Sequence, residues 1–265
     1  MNLALGVEYD GSAFHGFQRQ SNAPSVQQAL EEALARIADH PVRVAAAGRT
    51  DRGVHATGQV VSLQVAAERP LRAWWLGTNS HTPPQLKVRW ARAVSPEFHA
   101  RYSAVARRYQ YLFYEAEASS PLLEPYAVRA ACLDDDAMHA AAQTLLGEHD
   151  FSAFRAAGCQ SLSAHRCVHR ISVHRCGALV VMDITANAFL LHMVRNIAGV
   201  LQQVGSGVQS PDWVRALLLG RDRNLAGRTA PAHGLYFLGA HYPGVEFPAP
   251  ELPGLLRALG TLDRF

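Results

Sequence analysis

Residues 104–114 read AVARRYQYLFY, and the fold turns on how this run is taken. Tyr109, Tyr111 and Phe113 recur at every second position, which is the period of a strand with one buried face. A strand at this point restarts an order of elements that the first hundred residues have already gone through. Upstream, Leu3, Leu5, Val7 and Tyr9 share one face of an opening strand. Ser25 then reads as an N-cap, with Gln28 completing a capping box, ahead of a helix whose apolar stripe is Val26, Leu30, Ala33, Leu34 and Ile37. VRVAAA (42–47) and QVVSLQV (59–65) follow as strands, LRAWWLGTN (71–79) as a short helix and KVRWARAV (87–94) as a strand.

Downstream the pattern is similar. Asp134 to Asp136 lead into a helix, AMHAAAQTLLG, that Gly147 ends. RISVHR (170–175) and ALVVMDITA (178–186) form a hairpin turning at Gly177. AFLLHMVRNIAGVLQQVG (188–205) has the strongest helical period in the chain, Asp212 begins another helix, and GLYFLGAHY (234–242) is a last strand. The expected fold class is therefore α+β: two similar lobes, ferredoxin-like or RRM-like, sharing an extended and mostly antiparallel sheet. The expected divisions are 1–104, 105–245 and a proline-rich tail, 246–265.

Bulk composition narrows the class. With 265 residues, 49% hydrophobic and 18% charged, the chain is globular rather than disordered. It has no apolar run of the ~18 residues that a membrane helix needs, and its N-terminus shows no secretory pattern. Four cysteines without framework spacing, Cys132, Cys159, Cys167 and Cys176, suit a reducing cytoplasmic compartment. The net charge is only +3, but Lys87 is the sole lysine, so the positive charge is almost all guanidinium. Genome base composition accounts for that bias as well as function does; guanidinium forks also suit phosphates and base edges.

The densest run of unusual choices lies between two expected strands, AGRTDRGVHATGQV (47–60). Gly48 and Gly53 bracket Asp51, Arg49 and Arg52 flank it, and Thr50, His55 and Gln59 add hydrogen-bonding groups. A loop aspartate is ordinarily a turn or cap residue. Here the glycines permit close approach of a ligand, and the arginines favour the ionised carboxylate, at the end of an apolar sheet that can hold it rigidly. The physical reading is a catalytic or anion-binding carboxylate. No GK[ST], GxGxxG, GxSxG or HExxH motif accompanies it.

That loop resembles the signature of the tRNA pseudouridine synthase A family. So do, in order, YDGSAFHGFQRQ (9–20), VQQALEEAL (26–34), FHARYSAVARRYQY (98–111), LLGEHDFSAFRAAGCQS (145–161), ANAFLLHMVRNIAGVL (186–201) and APAHGLYF (230–237). The resemblance implies the pseudouridine synthase fold and isomerisation of uridine at positions 38 to 40 of the tRNA anticodon stem-loop. It implies a homodimer with tRNA as partner, and neither metal nor organic cofactor. By the same resemblance Asp51 is the nucleophile and Arg49 holds the target nucleotide out of the stack. Tyr109 packs on the target uracil and can move a proton, and Arg195, which interrupts an apolar helix, pairs with Asp51. The chemistry fits these types: breaking the N1–C1′ bond needs an ionised carboxylate at sugar or base, on a nucleotide taken out of its stack.

RNA contacts are expected from His99, Arg101, Arg107 and Arg108 beside Tyr102, where charge and rings interleave, and from Gln160, Ser161 and Ser163 in RAAGCQSLS (155–163). In the latter loop the family often carries proline and an aromatic where this chain has SAHR. HRCVHRISVHRC (165–176) superficially suggests a metal site, but its alternation is that of a half-exposed strand. Two rivals stand beside the family reading. One is a non-catalytic RNA-binding protein, in which Asp51 is only a loop residue. The other is a carboxylate hydrolase, which would need a second carboxylate at fixed distance; Glu8 and Asp10 show no partner role in the sequence.

Overall fold

A computed structural model of the protein describes residues 1–250. Its strands, in chain order, are β1 (Asn2–Tyr9), β2 (Ala45–Ala46), β3 (His55–Gln64), β4 (Leu86–Ala93), β5 (Ala106–Glu115), β6 (Val128–Ala130), β7 (Gly147–Asp150), β8 (His165–Cys176), β9 (Leu179–Ala186) and β10 (Leu235–His241). The α-helices are α1 (Val26–Ala38), α2 (Asp135–Ala142), α3 (Met193–Gly205) and α4 (Asp212–Gly220). The α+β class is as expected, and antiparallel pairing predominates. No helix among the described residues is long and apolar enough to cross a membrane. Of the expected tail, residues 251–265 lie outside the described residues.

Residues 1–107 and 236–250 make one compact unit, and residues 108–235 make a second. The chain thus leaves the first unit within β5 and returns to it along β10. In the first unit the strand order is β4-β1-β3-β10, with β2 beside β3. β1 runs antiparallel to β3 and β4, and β10 runs parallel to β3, pairing Tyr236 with His55. Leu3, Leu5, Val7, Val26, Leu30, Ala33 and Leu34 are buried, with Trp74 from the helical turn Ala73–Gly77. Ile37, placed in the stripe by its spacing, is only half buried. Ser25 caps α1 by accepting from Gln28 N at 3.2 Å, but the return bond of a capping box is replaced: the Gln28 amide donates to Glu32 at 2.9 Å.

α1 also hides a charge. Glu31 is 2% exposed and accepts from Gln27 Nε2 (2.9 Å), Val44 N (3.1 Å), Arg19 Nη1 (3.0 Å) and Arg43 Nη1 (3.2 Å). A carboxylate with four donors can be buried without an unsatisfied lone pair. This also explains why the strand expected over 42–47 shrinks to Ala45–Ala46: Val44 gives its N–H to α1 instead of to a sheet neighbour.

The second unit has the order β5-β9-β8-β7, with β6 parallel to β5. The hairpin turns at Gly177 as expected, and β8 reaches back to His165 with buried Val168, Ile171 and Val173 among exposed His169 and Arg170. Asp134 caps α2 through Ala137 N at 2.8 Å. α3 ends at Gly205 as its period requires, but it begins at Met193, five residues later than the apolar pattern suggests. The backbone of Leu191 is otherwise engaged, its carbonyl accepting from Ala156 N and its N–H donating to Cys159 Sγ, and His192 takes a left-handed φ of 59°.

Asp183 on β9 is 1% exposed and receives a forked guanidinium from Arg108 (Nε 2.9 Å, Nη2 2.5 Å) and the Gln110 amide at 2.7 Å. Arg108, expected among the RNA contacts, thus serves this internal pair. Asp183→Ala is expected to lower unfolding free energy by about 3 kcal/mol, because two donors lose a shared acceptor. A shift of the urea midpoint at constant m-value would report it, and Asp183→Asn, which keeps one carbonyl acceptor, should lose less.

Candidate active site

The Asp51 loop runs from Ala47 to Val54 and is held at several points within the first unit. Ala47 N donates to Val60 O at 2.8 Å. The fully buried Gln59 side chain grips Gly48 from both sides, donating to its carbonyl at 2.7 Å and accepting its N–H at 3.4 Å. Thr50 bonds the Tyr9 hydroxyl at 2.7 Å, and its carbonyl accepts from Phe17 N at 3.0 Å. Burial pushes the Tyr9 phenol up to about 12, against the lowering effect of its bonds to Thr50 and Gln59, so it stays a neutral post. The turn closes with Val54 N on Asp51 O at 3.2 Å and Gly53 at φ +80°, a conformation that a residue with a side chain adopts only under strain.

Asp51 itself is half buried. The flanking arginines do not crowd it: Arg49 and Arg52 are exposed and make no ion pair among the described residues. Both are accessible to an anionic ligand. His55, expected in the loop, belongs to β3; it is buried, stacked on Tyr236 at 4.9 Å, with Nδ1 3.2 Å from Asp10 Oδ1. The His55 bond holds the Asp10 carboxyl far below the usual range, partly countered by desolvation. Gly11 N also approaches Nδ1 at 3.2 Å; one contact needs a proton there and the other a lone pair. Glu8 faces Arg89 at 3.3 Å. Both carboxylates of β1 and its end therefore have cationic or protonatable partners that the sequence did not reveal.

Beside this loop lies the 99–107 turn. His99 Nδ1 accepts from Arg101 N (3.1 Å) and Tyr102 N (3.3 Å), its ring lies 4.3 Å from that of Tyr102, and the Arg101 guanidinium sits 5.5 Å from the Tyr102 ring centre. Tyr102 is 74% exposed, so the three form an open aromatic and cationic platform. Arg107 has an internal part: its guanidinium donates to Ala104 O (2.8 Å), Arg101 O (2.5 Å) and Ala47 O (3.3 Å), tying this platform to the base of the Asp51 loop.

In the second unit, Tyr109 is buried and packs edge-on to Phe189 at 5.1 Å. Tyr111 donates to Pro231 O at 2.7 Å; burial raises its phenol strongly, and the charge of Arg195 lowers it in part. Arg195 is half buried, gives Nε to Ala230 O at 2.8 Å, and accepts Ala230 N at its own carbonyl at 3.2 Å. The second face of α3 is packed, as the small residues there suggest. A Cβ at Gly199 would stand 2.3 Å from Arg228 O, so only glycine admits the 228–230 strip. Asn196, which no sequence signal marked, anchors that strip: it donates to Phe154 O at 2.8 Å and accepts from Thr229 Oγ1 and Arg223 Nη2. A lone asparagine in an apolar helix was the available clue.

The 155–163 loop is bonded to the same corner through Ala156 N on Leu191 O and Leu191 N on Cys159 Sγ. Gln160 is exposed, whereas the Ser161 and Ser163 hydroxyls serve the loop itself: Ser161 Oγ donates to Ser163 O, and Ser163 Oγ accepts from His165 N. Desolvation pushes the Cys159 thiol up, but bonds from the Leu191 and Ser161 amides together with Arg155 outweigh it, so the thiol is lowered.

Comparison with known proteins identifies the family. The family profile described as tRNA pseudouridine synthase matches residues 6–103 and 141–243. A tRNA pseudouridine synthase A of Aeromonas hydrophila is 52% identical over 254 residues, 96% of this chain and 94% of that protein. One of Vibrio cholerae is 51% identical over 254 residues, 96% of each. One of Actinobacillus pleuropneumoniae is 53% identical over 245 residues, 92% of this chain and 93% of its own length.

Proposed function

The chain belongs to the tRNA pseudouridine synthase family and isomerises uridine to pseudouridine in tRNA, and on that premise we propose that its targets are positions 38, 39 and 40 of the anticodon stem-loop, with Asp51 as the nucleophile. The N1–C1′ bond of uridine breaks, C1′ joins C5, the C5 hydrogen leaves to solvent as a proton and N1 gains one, so the product is an isomer. An ionised carboxylate on a rigid loop can make the transient bond that this exchange requires. Arg49, exposed beside it, takes the phosphate or the gap left by the everted nucleotide. Tyr109 packs on the uracil and passes the C5 proton, and Arg195 supplies the counter-charge to Asp51. His99, Arg101 and Tyr102 bind the RNA, with Gln160 from the second unit. Arg107 contributes as a positioning residue, and Ser161 and Ser163 as the shape of their loop. The enzyme works in the cytoplasm as a homodimer, with no metal or organic cofactor.

The observation that carries this reading is the Asp51 loop: Gln59, Tyr9, Phe17 and Arg107 fix its backbone, with the half-buried carboxylate between two exposed arginines. The test is pseudouridine mapping of tRNA from cells lacking the gene. Loss confined to positions 38–40, restored by the wild-type gene, is expected; loss at other positions with 38–40 intact would refute the assignment. Sedimentation of the purified protein at twice the chain mass is expected with it.

A further inference from the structure

In the loop that joins β7 to β8, two arginines are spent on the loop's own backbone while a leucine is fully exposed. Arg155 donates to Cys159 O (2.8 Å) and Ser161 O (2.7 Å). Arg166 donates to Ser163 O (3.0 Å), His165 O (2.5 Å) and Ser161 Oγ (2.7 Å). Phe151 N on Ala164 O closes the base at 3.0 Å. Two half-buried guanidinium groups thus fix the course of the backbone. What this scaffold displays is Leu162, whose relative exposure is 103%, the highest among the exposed large hydrophobic residues. That side chain contributes nothing to the core, so its apolar surface has no structural use in the free protein. A leucine standing alone on a surface is ordinary; one at the tip of a loop stiffened by five arginine hydrogen bonds is already ordered, and little entropy is lost when it binds.

Position supplies the rest. Leu191 bonds to the loop on both its N–H and its carbonyl, and two residues earlier Phe189 meets the edge of Tyr109. The loop that carries the tip is therefore bonded, through Ala156 and Cys159, to the stretch beside Tyr109, where on the reading above the uracil packs. Unstacked bases present flat apolar faces, and apolar side chains pack on them or wedge between them. A second copy of this chain is a poorer occupant, because a stable protein interface needs about 800 Å² per partner and one leucine offers a small part of that.

We infer that Leu162 is a binding contact to an RNA base or ribose of the substrate arm, setting substrate affinity rather than chemistry. The inference rests on the proposed RNA-modifying role. Leu162→Ala is expected to raise KM and the tRNA Kd roughly tenfold with kcat unchanged, the scale of one partly buried aliphatic side chain. Because no charge is lost, the slope of log Kd against log salt should stay the same. Leu162→Met should restore most of the affinity, and Tm should not move in either variant. Kd and KM within twofold of wild type in the alanine variant would overturn the inference, as would a changed salt slope. A halved sedimenting mass in Leu162→Asp, with tRNA binding retained, would assign the tip to a protein contact and overturn it too. Wild-type protein that fails to release tritium from labelled tRNA would instead count against the proposed function and leave the Kd comparison to decide the contact.

Discussion

Asp51→Ala is expected to release no tritium from tRNA labelled at uracil C5, with kcat lowered by at least about 10⁴, the scale seen when a nucleophile is removed from a site whose other parts remain. The expectation is specific to the carboxylate because the bonds that shape the loop backbone are made by other groups. The loop is shaped by Gln59 on Gly48, by Tyr9 and Phe17 on Thr50, and by the backbone bond from Val54 to Asp51 O. None of these uses the Asp51 side chain, so the variant should bind tRNA within about tenfold of wild type. Asp51→Asn keeps the shape even more closely and removes only the charge; it should be equally inactive. Retained tritium release in either variant would end the nucleophile assignment and favour the non-catalytic rival. Lost activity with an unchanged tRNA Kd would exclude misfolding as the cause.

Arg195→Met comes second, with kcat reduced roughly 10²–10³-fold, the range found when one preorganised charge partner is removed from a site. The side chain has two roles. Its Nε bond to Ala230 O helps hold the 228–234 strip, which also receives Tyr111 on Pro231 O. Its charge, on the proposed reading, balances Asp51. Arg195→Lys keeps the charge but not the planar fork, so a loss between wild type and methionine is expected. The two roles separate in a double-mutant cycle. If Arg195 acts through Asp51, adding Arg195→Met to Asp51→Ala lowers the residual rate no further; if it only props the strip, the losses multiply and Tm falls with each. Independent, multiplicative losses would remove Arg195 from the reacting pair.

Elements defined by near-neighbour chemistry could be read from the sequence, and elements defined by remote partners could not. The Ser25 cap, the α1 stripe apart from half-buried Ile37, the Asp134 cap, the turn at Gly177 and the end of α3 at Gly205 all depend on residues within one or two turns of each other, and stand where expected. The late start of α3 depends on the 156–159 stretch, over thirty residues away in the chain, which takes the backbone groups that a helix would have used. β2 is short because α1 reaches it. The fate of each arginine was the least readable of all. Arg101, Arg107 and Arg108 look alike in FHARYSAVARR, yet one lies over an exposed ring, one grips three carbonyls and one meets a carboxylate 75 positions on. Sequence shows that a guanidinium is present, while its partner is chosen by the fold. For the Asp51 loop the glycines and the carboxylate were visible, but the posts beneath it, Tyr9 and Gln59, sit in ordinary strand positions.

The grip of Arg107 on Ala47 and on the carbonyls of the 101–104 turn gives these two stretches a common mechanical reference. They are separated by more than fifty residues of chain, yet one side chain spans them, so neither can drift without pulling on the other. A nucleic acid pressing on the exposed Tyr102 ring would load that strut and pass the force to the root of the reactive loop. Engagement at the rim and alignment at the centre would then be linked as parts of one stiff lever, with no conformational switch required.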